Sequence, residues 1–188
     1  MIGSPGAGKS RFAQRLAAFT GLPLTHLDEA YWLPNWTRRH SATGWQDAVR
    51  EMVARDEWIL DGNYPSTLRI RAARADHAIV LAPPRILCLY RVLVRAWLNR
   101  RPDNGVLERE PLDWTFVKRV WRAPEQLREE LKQLEPFRPL TVTVLRTPKE
   151  IDRFFQSIVG LPQERDRYEG ATPSDQSSLP TSLTGSGQ

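Results

Sequence analysis

Gly3-Ser4-Pro5-Gly6-Ala7-Gly8-Lys9-Ser10, running straight into a helical pattern, constrains this chain more than any other stretch. It fits G-x-x-x-x-G-K-[ST] at every fixed position. Glycines let the backbone wrap closely around a phosphate with successive N–H groups turned inward. A helix that follows at once aims its N-terminal N–H groups at the same anion. Gly3 to Ser10 is therefore the expected phosphate cradle, in which Lys9 reaches the β- and γ-phosphates and the Ser10 hydroxyl holds Mg²⁺. Such a loop normally leaves a buried strand, yet only Met1 and Ile2 precede it. Losing about five buried residues from that strand would cost several kcal/mol of apolar burial. We expect a truncated first strand, and with it either a natural chain that starts upstream of Met1 or an unstable form.

The rest of the chain alternates short apolar strands with helical patterns. Phe12, Leu16 and Phe19 mark a helix that Gly21 stops. A strand over Leu22 to Leu27 ends at Asp28, and Tyr31 to Gly44 shows no clean period. Thr43 and Gln46 have the spacing of a capping box and open a helix carried by Trp45, Val49 and Val53. Trp58-Ile59-Leu60 and Ala78 to Ala82 read as buried strands, and Ser66 as the cap of a short arginine-rich helix between them. From Arg85 to about Arg101 the pattern is helical, with Ile86, Leu89, Leu93 and Trp97 expected to face inward. Two further helices divide near Pro124, Thr141 to Leu145 is the last strand, and Pro148 starts a helix whose stripe is Ile151, Phe154, Phe155 and Ile158. After Leu161 the sequence turns rich in Ser, Thr, Gly, Pro and Gln, so residues 161–188 are expected to be disordered. This order predicts an α/β sandwich with a mainly parallel sheet, whose ligands gather at the carboxyl ends of the strands.

Asp28 and Asp61 both fall at such ends. Asp61 has the position of an acid that helps hold Mg²⁺, or of one that bonds within an Asp-Gly turn. Asp28 can take the proton of an acceptor hydroxyl, or cap the segment after it. Arg91 and Arg95, four apart on one helix face, can neutralise a transferring phosphoryl group or simply be solvated. Arg100 and Arg101 precede a Pro-Asp-Asn-Gly turn where a lid would hinge. Trp32, Trp36 and Trp45 fit either a substrate pocket or a core. His26, His40 and His77 are scattered, and His26 reads as structural. Cys88, the single cysteine, excludes an internal disulfide and lies among apolar neighbours, so it reads as core. The richest apolar run, Ile86 to Val94, is broken by Arg91, and the N-terminus lacks a secretory pattern, so a cytoplasmic location is expected. The net charge is +5, and only four of the 27 basic residues are lysines. Arginine suits bidentate phosphate contacts, but charge alone does not separate a nucleotide from nucleic acid.

The loop, His26-Leu27-Asp28, Trp58 to Tyr64, Pro84 to Arg91 and Leu145 to Pro148 together give the chain its likeness. It resembles the P-loop kinases related to adenylate kinase, and most closely the family labelled DNA topology modulation proteins. That resemblance spans roughly the first 160 residues. It implies a P-loop NTPase three-layer sandwich with a helical lid at about residues 96–123, and Arg91 and Arg95 in contact with ATP. Asp61-Gly62 matches those enzymes' Asp-Gly-Phe-Pro-Arg stretch, but Asn63-Tyr64-Pro65-Ser66 lacks the arginine that grips the acceptor nucleotide's phosphate. Arg69 or Arg71 is the candidate substitute. The expected function is an ATP·Mg²⁺-dependent phosphotransferase acting on a small molecule or nucleotide. The alternative is an ATP-binding regulator of DNA topology without kinase activity, although no DNA-recognition motif accompanies it.

Overall fold

The computed structural model describes residues 1–98, 114–137 and 139–159. Its strands are β1 (Ile2–Gly3), β2 (Leu24–His26), β3 (Ile59–Asp61), β4 (His77–Leu81) and β5 (Thr141–Leu145). Between and around them lie α1 (Lys9–Thr20), α2 (Leu27–Tyr31), α3 (Ala42–Val53), α4 (Pro65–Ala72), α5 (Arg85–Trp97), α6 (Trp114–Leu134) and α7 (Pro148–Val159). The fold is α/β, and every strand pair is parallel: β1-β4-β5 form one ladder and β2-β3 the other.

Met1 joins the two ladders. Its α-amino group donates to Leu60 O (2.5 Å) and its carbonyl accepts from Gly62 N (3.2 Å), while Ile2 and Gly3 pair with Val80 and Leu81. The first strand is short, two residues long, and lies between β3 and β4. Its carbonyls and N–H groups find partners on both sides, as buried backbone must. Ile79, Val80 and Leu81 are all buried. Consecutive strand residues point to opposite faces, so β4 is covered on both, as parallel strands require. Val80 packs with Ile2, Leu68, Ala72, Leu127 and Leu134, and a second cluster gathers Leu27, Trp45, Val49, Val53 and Leu60 around α3.

Several boundaries differ from expectation, each for a local reason. Ser41, not Thr43, caps α3: its hydroxyl accepts from Gly44 N (3.1 Å). Ser66 lies inside α4, whose first helical residue is Pro65; proline suits that position because it lacks the N–H that would go unpaired there. Pro124 does not divide α6, which runs unbroken from Trp114 to Leu134. Phe116, Val120, Ala123, Leu127, Glu130 and Leu134 form one buried stripe through it, and that burial outweighs one missing hydrogen bond. On α5 the expected inward face is corrected. Cys88 and Val92 are buried, Leu89 is half-buried, and Ile86, Leu93 and Trp97 are exposed, Trp97 by 85%. The helix's most apolar stripe is turned away from the core, and the side that carries Cys88 and Val92 meets the glycine loop instead.

Residues 1–151 form one compact unit, which contains all of these strands. The second unit, 152–188, is described only to residue 159; it continues α7, with the Phe154 and Phe155 rings edge-on at 5.8 Å. The expected tail, the hinge residues Arg100 and Arg101, and most of the expected lid lie outside the described residues. Among those described, no helix is long and apolar enough to cross a membrane.

Candidate functional site

The loop between β1 and α1 is shaped by a few fixed contacts. Ser4 is buried and donates its N–H to Leu81 O (3.3 Å), and Ala7 N closes a turn onto Ser4 O (3.0 Å). Gly6 (φ 78°) and Gly8 (φ 93°) take left-handed conformations that L side chains rarely adopt. A Cβ on Gly6 would lie 2.4 Å from Cys88 O, so this glycine lets the loop press against α5. A Cβ on Gly8 would meet nothing within 4 Å, because this residue faces the open cleft. Among the described residues, no backbone hydrogen bond takes up the N–H groups of Gly6, Gly8, Lys9 or Ser10. Together these N–H groups have the character of an anion nest at a helix N-terminus.

Lys9 folds back over the loop and donates to Gly3 O (2.9 Å) and Ser4 O (3.2 Å). Burial lowers the pKa of its ammonium, with the carboxylates of Asp61, Asp28 and Glu130 pulling the other way. Arg91 Nη1 donates to Ala7 O (3.4 Å), which brings α5 to the same loop.

The register of the second ladder places His26 beside Asp61. His26 Nδ1 lies 3.1 Å from Asp61 Oδ2, and Asp61 is only 5% exposed. Burial pushes the Asp61 carboxyl upward, but the His26 hydrogen bond and the Lys9 charge outweigh it and hold the group below its usual range. Asp61 Oδ1 is buried without a hydrogen-bond partner among the described residues. An orphaned carboxylate oxygen, with the Ser10 hydroxyl lining the same cleft, is a hard-oxygen set that fits Mg²⁺. No cluster of three or more His, Cys, Asp or Glu side chains forms a metal cage among the described residues. Ser10 and Asp61 therefore suit an ion that brings its own water and phosphate ligands.

Asp28 sits in the first turn of α2 and accepts from Tyr64 Oη (2.7 Å). Tyr64 itself has a left-handed backbone (φ 35°). Arg71 fixes that turn: its buried guanidinium donates to Gly62 O (2.8 Å), Asn63 O and Tyr64 O (3.3 Å). Burial lowers the Arg71 pKa to about 10, so the group stays charged at neutral pH. Asn63 ties the turn to its surroundings, with Oδ1 accepting from Gly3 N (3.1 Å) and Nδ2 donating to Glu130 Oε2 (3.3 Å).

One cleft of about 1380 Å³ collects most of the expected site. Gly3, Pro5, Gly6, Gly8, Lys9, Ser10, Asp28, Asp61, Arg91 and Arg95 all line it. Ser4 and Ala7 do not; they are buried behind the loop and support it. Trp32 and Trp36 line the cleft, whereas Trp45 belongs to the core. Neither candidate for the missing arginine reaches the cleft. Arg71 is occupied with the 62–64 carbonyls, and the Arg69 guanidinium lies 5.5 Å over the Phe137 ring. Sequence reasoning missed His26, Asn63 and Glu130. The strand register that pairs His26 with Asp61 is a tertiary fact, and Glu130 is buried only because α6 stays whole. No protein-family model matches the chain, and no curated protein matches it.

Proposed function

We propose that this chain is an ATP·Mg²⁺-dependent phosphotransferase of the P-loop kinase type, with a small hydroxyl-bearing acceptor. The observation that carries this reading is the meeting, in one cleft, of a left-handed glycine loop, Lys9, two strand-end acids and two helix-borne arginines. A simple phosphate-binding loop needs neither the acids nor the arginines. The likeness to adenylate-kinase-related enzymes and to the DNA topology modulation family supports the same class.

In this reading the loop N–H groups and Lys9 bind the donor's phosphates, and Ser10 and Asp61 hold Mg²⁺. Mg²⁺, when bound, neutralises charge that builds on the phosphate oxygens. Arg91 and Arg95 stabilise the transferring phosphoryl group electrostatically. His26 holds Asp61 ionised and oriented through the 3.1 Å contact. Asp28 accepts the hydroxyl proton, and the Tyr64 hydroxyl fixes the orientation of that carboxylate.

Calorimetry of ATP binding with Mg²⁺ tests the reading. Binding is expected for the native sequence, with at least a tenfold loss in Lys9→Ala, equivalent to about 1.4 kcal/mol. An absence of ATP binding, or a Lys9→Ala protein that binds as well, would sink it. Steeply salt-dependent DNA binding without any ADP release would favour the regulatory alternative, which the +5 charge keeps in play.

A further inference from the structure

One side of α5 is apolar and left uncovered. Ile86, Tyr90, Leu93 and Trp97 are exposed by 72, 62, 44 and 85%. Their spacing of four, three and four residues is that of a seam at which one helix packs lengthwise against another. Leu87 and Val94 flank this stripe on one side and Leu89 and Ala96 on the other, so its borders on the helix are uncharged. The arginines of α5 are engaged elsewhere. Arg85 bonds Glu125 (3.2 Å) and lies 5.0 Å over the Trp121 ring, and Arg91 and Arg95 line the cleft. Tyr90 stands at the cleft's edge, whereas Ile86, Leu93 and Trp97 stand clear of it.

The size of this face bears on what covers it. A Tyr or Trp side chain buries about 150–250 Å², so Tyr90 and Trp97 alone leave roughly 300 Å² open. With Ile86, Leu93 and the apolar flanks the face reaches roughly 500 Å², which is large for a single patch on a monomer. Two such faces would bury about 1,000 Å² together, enough for a specific but reversible pair. The order of the side chains suits a second copy of the same helix. In an antiparallel pair, Trp97 meets the partner's Ile86 and Tyr90 meets the partner's Leu93. Each layer then matches one ring with one aliphatic side chain. A parallel pair would oppose Trp97 to Trp97 and Ile86 to Ile86, crowding one layer and leaving another thin. The antiparallel arrangement is two-fold symmetric and closes on itself.

We propose that this chain forms a reversible homodimer through α5, the two helices antiparallel and seamed by Ile86, Tyr90, Leu93 and Trp97. The proposal does not rest on the phosphotransferase reading. It uses the exposed side of α5 and leaves Cys88 and Val92, on the buried side, against the loop at Gly6.

Sedimentation velocity of the full chain from about 1 to 100 µM tests this, because a small interface is expected to dissociate in that range. The average mass is expected to rise from that of one chain towards that of two. Leu93→Glu puts a charge into the seam and is expected to weaken association at least tenfold. Its melting temperature in dilute solution is expected to match the native one, since the side chain reaches solvent in the monomer. Trp97→Glu repeats the measurement at a more exposed position. For orientation, Ile86→Cys and Trp97→Cys proteins are mixed and mildly oxidised; cross-links between the two variants are expected, and native Cys88 is buried. A chain that stays monomeric at about 100 µM overturns the proposal. Flotation of that monomer with phosphatidylglycerol vesicles would assign the face to a lipid surface instead. A dimer that neither glutamate weakens also overturns it, as do cross-links that join 86 to 86 or 97 to 97.

Discussion

Gly6 carries the tightest steric constraint in the loop. A side chain there would need a left-handed backbone and would place its Cβ 2.4 Å from Cys88 O and 2.9 Å from Val92 Cγ2. Gly6→Ala is therefore expected to destabilise the fold by about 2–4 kcal/mol, combining backbone strain with overpacking. Urea unfolding measures this, and a loss under half a kcal/mol would show that α5 does not hold the loop. Gly8→Ala differs, since it meets the same backbone strain in open space. Glu130 makes a second prediction at this scale. Burial raises its carboxyl above the ordinary value of 4.5, while Arg71 and the Asn63 hydrogen bond oppose the rise. A carboxyl whose folded pKa exceeds its unfolded one contributes stability that is full below the unfolded value and lost as pH rises through the folded value. Glu130→Gln removes that loss, so its stability should fall less than wild type's as pH rises from 4.5. Urea midpoints taken across that range check the sign; parallel curves would contradict it.

At the scale of elements, α6 is the instructive case. Pro124 reads as a break because it lacks an N–H and its ring clashes with the carbonyl four residues back. The helix continues because its apolar stripe, which runs on both sides of Pro124, packs against α5, α4 and β1. That continuity carries Glu129 and Glu130 to the cleft. Pro124→Ala supplies the missing donor at an otherwise helical position and is expected to stabilise the protein by about 1–3 kcal/mol. Thermal melts would register it as a higher midpoint, and a lower one would mean that the Pro124 ring is needed for packing. The same scale explains α5. Its most apolar stripe is exposed, and contact with the neighbouring loop decides that Cys88 and Val92 face inward.

For the whole molecule, the two-residue strand β1 is the narrowest structural link. Met1 bonds to one ladder, Ile2 and Gly3 pair with the other, and Ile2 is 3% exposed. Ile2→Ala is expected to cost about 2–5 kcal/mol, the range for truncating a large buried aliphatic side chain. Because β1 lies between β3 and β4, the loss should be shared. Hydrogen exchange should speed up together at Leu60 and Val80, one in each ladder. Faster exchange in β4 alone would show that the ladders are energetically separate units.

The glycine loop, its helix and the Gly21 stop were legible in the sequence because they depend on local backbone rules. Glycine supplies left-handed turns, and a helix pattern spaced by three and four residues follows directly. Most strands were legible as apolar runs between turn residues, and Asp61 as the acid that ends β3; β2 stops at His26, so Asp28 falls in the first turn of α2 instead. Other features depended on what each element meets. The inward face of α5, the survival of α6 through Pro124 and the pairing of His26 with Asp61 are set by contacts between residues far apart in the chain. The use of Arg71 as an internal clamp is another such contact. The sequence by itself determined that a glycine loop runs directly into a helix and which residues form that loop. Only the tertiary structure decided which charged side chains line one cleft and that His26 meets Asp61, because distance in a folded chain follows from packing rather than from order.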